Sequence, residues 1–213
     1  MHLFTSVELA IPPTIIVLRW IAAAVLFLEL PVPFYWFILH PNSNYWRTPQ
    51  KLGFTVALLP WPLTAILLAV FRNQIFATTA PAYWQMLAGM AAILVEFWLI
   101  VLAKRALGPP WLVGRAEMDG HGEISESEGI YGRLRHPRYA GMIGAVVGAG
   151  LLSASTALWI VLAIWIALVL AAVSLEGREL DRRFGAANLD YRLRATRFVP
   201  NRFRARADWP QSQ

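Results

Sequence analysis

Long apolar stretches separated by short polar segments set the pattern of this chain. A helix needs about 20 residues to cross a hydrocarbon core, and four stretches reach that length: 14–39, 52–71, 82–103 and 156–175. A fifth stretch, 139–154, is shorter and reaches about 24 Å at 1.5 Å per residue. It spans the core if Pro137 and Arg138 already lie at the interface. The pattern therefore predicts an all-α, polytopic helical bundle with about five transmembrane helices.

The last two apolar stretches are predicted to form a helical hairpin. Ser153-Ala154-Ser155 leaves room only for a tight turn between them. The run from Gly144 through Gly148 to Gly150 resembles a nucleotide-binding loop, but no strand precedes it, as that motif requires. Small residues at this spacing let a neighbouring backbone approach closely in a membrane. We therefore interpret the glycines as packing residues of the hairpin.

Basic residues segregate to one side of the five predicted spans. Lys and Arg concentrate in cytoplasmic loops of membrane proteins, and the opposite side here receives only Arg72. This predicts an outside N-terminus, with the 104–138 loop and the C-terminal tail in the cytoplasm. The residues on the predicted cytoplasmic side are Arg47, Lys51, Lys104, Arg105, Arg115, Arg133, Arg135, Arg138 and nine arginines from Arg178 to Arg206.

The composition agrees with a membrane protein and excludes some chemistry. Charged residues make up 15% of the 213 residues, against about 25% in a soluble domain. The net charge of +6 also occurs in nucleic-acid-binding proteins, but here the arginines flank apolar runs, so no nucleic-acid partner is expected. Cysteine is absent, which excludes disulfides, thiolate metal sites and a cysteine nucleophile, and no metal is expected. The arginine and alanine bias suggests a bacterial inner-membrane protein.

Three ionisable residues fall inside predicted spans: Arg19, Glu29 and Glu96. Charges in a bilayer are costly, so such residues usually face a cavity or a partner. Glu29 precedes Pro31 and Pro33, where the first helix is expected to kink. We take Glu96 as a candidate for the substrate pocket, with an interhelical contact or a protonated carboxyl group as the alternative.

Two polar segments lie at the predicted cytoplasmic ends of the hairpin. Pro137 disfavours helix at His136 and is well placed to start the next helix. That helix N-terminus, beside Arg135 and Arg138, is suited to bind an anion. The alternative is that these arginines only end the apolar stretch at the membrane interface. At the other end, Glu176 and Glu179 share one helix face, which suits a cationic ligand or merely a solvated helix end with weak ion pairs.

These segments together resemble a known family. The residues that carry the likeness are Leu107-Gly108 with Trp111, His121-Gly-Glu-Ile124, Gly129-Ile-Tyr131, Arg135-His-Pro-Arg-Tyr139-Ala-Gly141, Glu176-Gly-Arg-Glu-Leu180, Phe184-Gly185, Tyr191 and Val199-Pro200. The pattern resembles the isoprenylcysteine carboxyl methyltransferases and their phospholipid methyltransferase relatives. The likeness covers residues 104–203. It divides the chain into a three-helix membrane region, 1–103, a methyltransferase-like cofactor-binding region, 104–203, and a polar tail, 204–213.

The resemblance implies a membrane methyltransferase that uses S-adenosyl-L-methionine and releases S-adenosyl-L-homocysteine. It implies cytosolic cofactor binding and a lipophilic small-molecule or lipid substrate, such as an isoprenylcysteine-like molecule, a lipid headgroup, a phenolic lipid or a small thiol. Arg135 and Glu176 are the candidate catalytic residues, and Glu96 and Trp111 the candidate substrate-pocket residues. The implied cofactor contacts are His121, Gly122, Glu123, Ile124, Tyr131, His136, Pro137, Arg138, Tyr139, Glu176 and Glu179.

Departures from the family pattern leave the substrate open, and two other functions compete with the methyltransferase. The family commonly has two adjacent glutamates where this chain has Glu176-Gly177, and the eukaryotic prenylcysteine enzymes have an arginine where this chain has Val169-Leu170-Ala171. The alternatives are an NADPH-dependent sterol-type reductase, which shares a related hairpin, and a non-catalytic membrane scaffold that retains it.

Overall fold

The structure is a computed structural model that describes residues 12–34, 37, 56, 58–76, 80–107 and 129–199. Within these residues it is helical, and one isolated bridge joins Leu134 to Thr196. The helices are α1 (Pro13–Glu29), α2 (Val32–Phe34), α3 (Pro60–Val70), α4 (Arg72–Ile75), α5 (Tyr83–Leu107), α6 (Pro137–Ser153), α7 (Thr156–Phe184) and α8 (Ala186–Arg194). The all-α prediction is confirmed for this part of the chain.

Three of the described helical segments are long and apolar enough to cross a membrane: Pro13–Phe34, Tyr83–Ala106 and Thr156–Arg182. They correspond to the first, third and fifth predicted spans. The second predicted span contains α3, whose 11 residues cover only about 17 Å at 1.5 Å per residue. The fourth predicted span corresponds to α6, whose 17 residues cover about 26 Å. The structure therefore supports three spans by length, and the count of five stays a prediction.

Proline ends α1, and a tryptophan of α7 supplies a hydrogen bond that the helix loses there. In a continuing helix the carbonyl of Glu29 would accept from the N–H of residue 33, but Pro33 has none. The indole nitrogen of Trp165 donates to that carbonyl instead, at 3.2 Å. The break predicted after Glu29 is therefore confirmed. The hydrogen bond from Trp165 joins the end of α1 to α7.

The hairpin between α6 and α7 turns within two residues, as its sequence predicts. Ala154 ends α6 in the left-handed region, at φ 53°, a conformation that lets the chain reverse at a helix end. Ser155 then caps α7, because its side chain accepts from the backbone N–H of Leu158 at 3.3 Å.

The glycines of α6 pack mostly against α5. A Cβ on Gly148 would lie 2.6 Å from the carbonyl oxygen of Gly89, and one on Gly144 would lie 3.9 Å from that of Ala92. Gly150 packs on α7 instead, against Leu162 and Trp159. The packing role predicted for these glycines is thus correct, but only Gly150 contacts its hairpin partner. The close antiparallel contact between α5 and α6 fixes Glu96 relative to the start of α6.

Gly148→Ala is expected to lower the thermal stability of the protein. The added methyl group has to displace the backbone of Gly89, and overpacking of this kind costs about 1–3 kcal/mol. Gly177→Ala is the matched control, because no atom lies within 4 Å of its added Cβ and Ala is the better helix former by about 1 kcal/mol. Thermal unfolding in detergent measures both. Equal melting temperatures for the two variants would contradict the close α5–α6 contact.

Candidate functional site

The ends of α6 and α7 bring the two predicted polar segments together. His136 precedes α6 with φ −129°, and Pro137 occupies the first helical position, so the non-helical geometry predicted for His136 is confirmed. Its ring nitrogen Nδ1 lies 3.6 Å from Oε2 of Glu176 on α7. Residues 40 positions apart therefore meet at one end of the bundle. His136 is 8% exposed and the Glu176 side chain 24%, so the carboxyl group retains access to a ligand.

The segment after α8 folds back onto the residues that precede α6. Arg135 N–H donates to the carbonyl of Thr196 at 2.8 Å, His136 N–H donates to that of Arg197 at 3.2 Å, and Thr196 N–H donates to that of Arg133 at 3.1 Å. The bond from His136 satisfies a donor that the start of α6 would otherwise leave unpaired. The three bonds hold the tail in place over the site.

Aromatic rings enclose the imidazole of His136. The Tyr139 ring meets it edge-on, with centroids 5.7 Å apart, and the Phe198 ring lies tilted at 6.1 Å. Arg197 stacks over Phe198 with its guanidinium carbon 5.6 Å from the ring centroid. Arg197 also donates to the Ser174 hydroxyl at 3.0 Å, which ties this part of the tail to α7. The site is therefore closed by the tail as well as by the hairpin.

His136 is uncharged at neutral pH. Burial, together with the nearby charges of Arg135 and Arg197, lowers the pKa of its imidazole from 6.5 to about 4. An ionised Glu176 at 3.6 Å would act in the opposite direction, but desolvation and two cations outweigh it. The His136–Glu176 contact is therefore not an ion pair near pH 7, and at 3.6 Å it is too long for a strong hydrogen bond. Packing rather than charge therefore holds the ring beside Glu176.

Arg135 supplies a positive charge at the same end of the bundle. Burial lowers the pKa of its guanidinium, as do the neighbouring Arg192 and Arg197, although arginine still stays charged near neutral pH. Its Nε is buried and has no hydrogen-bond partner among the described residues. A buried donor of this kind is stabilised by an anionic acceptor. Arg135 and Glu176 therefore offer a cation and an anion, which together suit a zwitterionic amino-acid group.

Tyr131 and Arg138 complete the described part of the site. The carbonyl of Tyr131 accepts from the hydroxyl of Tyr191 at 2.9 Å, which joins α8 to the turn before α6. Burial raises the pKa of the Tyr131 phenol, Arg138 lowers it, and Glu176 raises it. These three side chains are therefore electrostatic neighbours. Glu179 follows Glu176 by one helical turn and is half-buried, so it lines the same face of α7.

A second polar cluster lies beside Arg138, farther into the bundle. Glu96 on α5 is 6% exposed, and its side chain is hydrogen-bonded to that of Glu29 at the end of α1. Arg138 interacts electrostatically with both carboxyl groups. The close approach of Gly141 makes this contact possible, because a Cβ there would lie 3.2 Å from Cγ of Glu96. Arg138 thus links the acid pair to the site at the end of the hairpin.

The structure brings together most of the residues singled out in the sequence. Tyr131, Arg135, His136, Pro137, Arg138, Tyr139, Glu176 and Glu179 all lie at the common end of α6 and α7. Trp111 and the segment His121, Gly122, Glu123 and Ile124 lie outside the described residues, so their roles stay predictions.

Sequence reasoning missed Arg197, whose carbonyl and charge both act on His136. It also gave Glu29 less weight than Glu96. The only signal for Arg197 was its position directly before Phe198.

Residues 84–187 match the family model described as phospholipid methyltransferase. The matched segment begins in α5 and ends at the start of α8, so it contains Glu96, the Arg135–Tyr139 segment and Glu176. No curated protein and no solved structure matches the chain. The matched segment contains both the hairpin and the helix against which its glycines pack.

Proposed function

Because residues 84–187 belong to the phospholipid methyltransferase family, we propose that this membrane methyltransferase uses S-adenosyl-L-methionine and acts on a lipophilic acceptor. The observation that carries the proposal is the meeting of Arg135, His136 and Glu176 at one end of the α6–α7 hairpin. This arrangement brings opposite charges together at that end of the hairpin. A site for the amino-acid part of the cofactor requires that combination.

The residues fit the cofactor in charge and in hydrogen-bonding capacity. The buried Nε of Arg135, which has no partner among the described residues, would hold the carboxylate of the cofactor. Glu176 would hold its ammonium group through a charge-assisted hydrogen bond. The neutral His136 would add a hydrogen bond or a ring contact without repelling the sulfonium, since its pKa of about 4 keeps it uncharged.

When bound, the cofactor supplies an electrophilic methyl group. The chain then has to orient the acceptor and exclude water, because transfer needs reacting atoms about 3–3.5 Å apart and aligned. Tyr139 and Phe198 enclose His136, and the tail closes that end of the hairpin through its backbone bonds to Arg135 and His136. These features keep bulk water away from the cofactor side of the site.

The acceptor is proposed to be a lipid or another lipophilic molecule that enters laterally from the bilayer. The three apolar segments that are long enough to span, one of which contains most of α7, support a position of the hairpin among lipids. The side chains of Phe97 and Trp98 on α5, 66% and 57% exposed, are suited to hydrocarbon contact. We also propose that the site faces the cytoplasm from a bacterial inner membrane, which the charge asymmetry of the sequence supports. The division into a membrane region, 1–103, and a cofactor-binding region, 104–203, belongs to the same proposal.

Purified protein in detergent is expected to be stabilised thermally by S-adenosyl-L-homocysteine. A ligand that binds only the folded state adds about 2.7 kcal/mol at 100 times its Kd. NADPH is the matched control and should leave the melting temperature unchanged.

Incubation with methyl-labelled cofactor and a total lipid extract should then label a lipophilic product. Stabilisation by NADPH alone would favour the reductase, and stabilisation by neither ligand would favour the scaffold.

A further inference from the structure

Residues 195–199, which we call the strap, are joined to α7 by the side chain of Arg197. Its guanidinium donates to the Ser174 hydroxyl at 3.0 Å. That hydroxyl donates in turn to the carbonyl of Leu170, one helical turn earlier, at 2.8 Å. A hydrogen bond from a charged donor is stronger than one between neutral groups. Because the Arg197 side chain is exposed, contacts of this kind rather than burial hold it in place.

The same side chain packs on Phe198, which in turn contacts His136. The guanidinium carbon of Arg197 lies 5.6 Å from the centroid of the Phe198 ring, within the range of a cation–π contact. The Phe198 ring lies 6.1 Å from the imidazole of His136 and packs partly buried against the core. Phe198 is thus held between an exposed guanidinium and a buried imidazole.

The backbone of the strap is held by a few hydrogen bonds only. The carbonyl of Arg197 accepts from the N–H of His136 at 3.2 Å, and Thr196 pairs with Leu134 in an isolated bridge. A short pairing of two segments is marginally stable in water unless side chains pack against it. The side chain of Arg197 supplies such packing, since it joins the strap to α7 and covers Phe198.

We propose that Arg197 is a positioning residue for cofactor binding: its contacts with Ser174 and Phe198 keep the strap closed over His136, and the closed strap is the state that binds the cofactor. This inference rests on the proposed function. A protein binds a ligand more weakly when only a fraction of its molecules is in the binding-competent state. Loss of the Arg197 side chain lowers that fraction, so the cofactor binds more weakly without losing a direct contact.

Arg197→Gln is expected to raise the Kd for S-adenosyl-L-homocysteine about tenfold, which corresponds to the low end of what a hydrogen bond to a charged group contributes. Ligand titration in detergent measures it. Arg133→Gln is the matched control, because it removes the same charge beside the strap from an exposed side chain, and it should bind as wild type does. Wild-type affinity in Arg197→Gln, or an equal loss in both variants, overturns the role of Arg197.

Ser174→Ala tests the anchor from the side of α7. It removes the acceptor and leaves the charge of Arg197 and its contact with Phe198 in place. This variant should weaken S-adenosyl-L-homocysteine binding in the same direction. The double variant with Arg197→Gln should bind more tightly than the product of the two separate losses predicts, because both changes remove the same hydrogen bond. Independent effects would show that Ser174 is not the anchor.

A disulfide separates closure of the strap from any direct effect of the Arg197 charge. The chain has no cysteine, so Leu134→Cys with Thr196→Cys introduces a single pair. These two residues are partners in the bridge, and a disulfide joins residues whose Cα atoms lie about 4.4–6.8 Å apart. The same pair with Arg197 intact is the control, and it should bind S-adenosyl-L-homocysteine in its oxidised form.

Oxidation of the pair should restore the affinity that Arg197→Gln loses, and reduction should remove it again. The arginine charge stays absent throughout, so recovery identifies closure as the cause. An oxidised pair that does not recover affinity, or that fails to bind when Arg197 is intact, overturns the proposal. Absence of S-adenosyl-L-homocysteine binding by wild type would instead contradict the proposed function.

Discussion

Glu176→Gln is expected to remove most of the thermal stabilisation that S-adenosyl-L-homocysteine gives the wild-type protein. The substitution keeps the size of the side chain and removes the negative charge that faces the cofactor ammonium. Removal of one partner from a partly buried charged hydrogen bond costs about 2–5 kcal/mol of binding, which corresponds to a Kd about 30-fold higher or more. The fold should survive, because the nearby imidazole is neutral and does not depend on that charge.

The measurement is the melting temperature in detergent with and without S-adenosyl-L-homocysteine, at a ligand concentration near 100 times the wild-type Kd. Asp181→Asn is the control: it removes a carboxylate five residues along the same helix, from an exposed pair with Arg192 that contributes about 1 kcal/mol or less. His136→Ala should also remove most of the stabilisation. If Glu176→Gln and His136→Ala both bind as wild type does, the cofactor site has been assigned to the wrong residues.

Acidification is expected to destabilise the protein through His136. Its pKa is about 4 in the folded protein and 6.5 as the reference value, so the folded state binds fewer protons between those values. Stability from this residue is therefore fully present above pH 6.5 and is lost as the pH falls towards 4. The loss amounts to about 3 kcal/mol at 1.36 kcal/mol per pKa unit, which is reasonable in size because the side chain is 8% exposed.

His136→Gln tests that effect, because glutamine retains hydrogen-bonding groups and does not titrate in this range. Chemical unfolding at several pH values between 4 and 7 should give a flatter profile for His136→Gln than for wild type. Asp181→Asn should retain the wild-type slope across the window assigned to His136. Parallel profiles for wild type and His136→Gln would show that the buried imidazole is not the group responsible.

Local sequence features predict much of the fold. The break after Glu29 follows from Pro31 and Pro33, because a proline cannot donate to the preceding turn. The start of α6 follows from Pro137. The match of residues 84–187 to the phospholipid methyltransferase model confirms the resemblance to the wider family. The length of α3 was less predictable, since an apolar composition does not fix where a helix begins.

Tertiary packing determines which residues surround the candidate cofactor-binding residues. Motif spacing singled out His136 and Glu176, but the presence of Arg197 beside His136 depends on how the tail folds back. Likewise, the glycines of α6 predicted a close helix contact, and only the structure identified α5 as the main partner. Spacing along one helix states which residues share a face. It does not state which helix that face meets.

The sequence by itself determined that the chain is an apolar helical protein with polar groups at the ends of a hairpin, because hydrophobic length and proline position act locally. Only the tertiary structure decided that Glu29 and Glu96, 67 residues apart, share a hydrogen bond beside Arg138. The cost of placing charge in a bilayer predicts that each carboxyl group finds a partner. The identity of that partner depends on how α1, α5 and α6 pack. In this protein the close packing of Gly141 against Glu96 allows the contact.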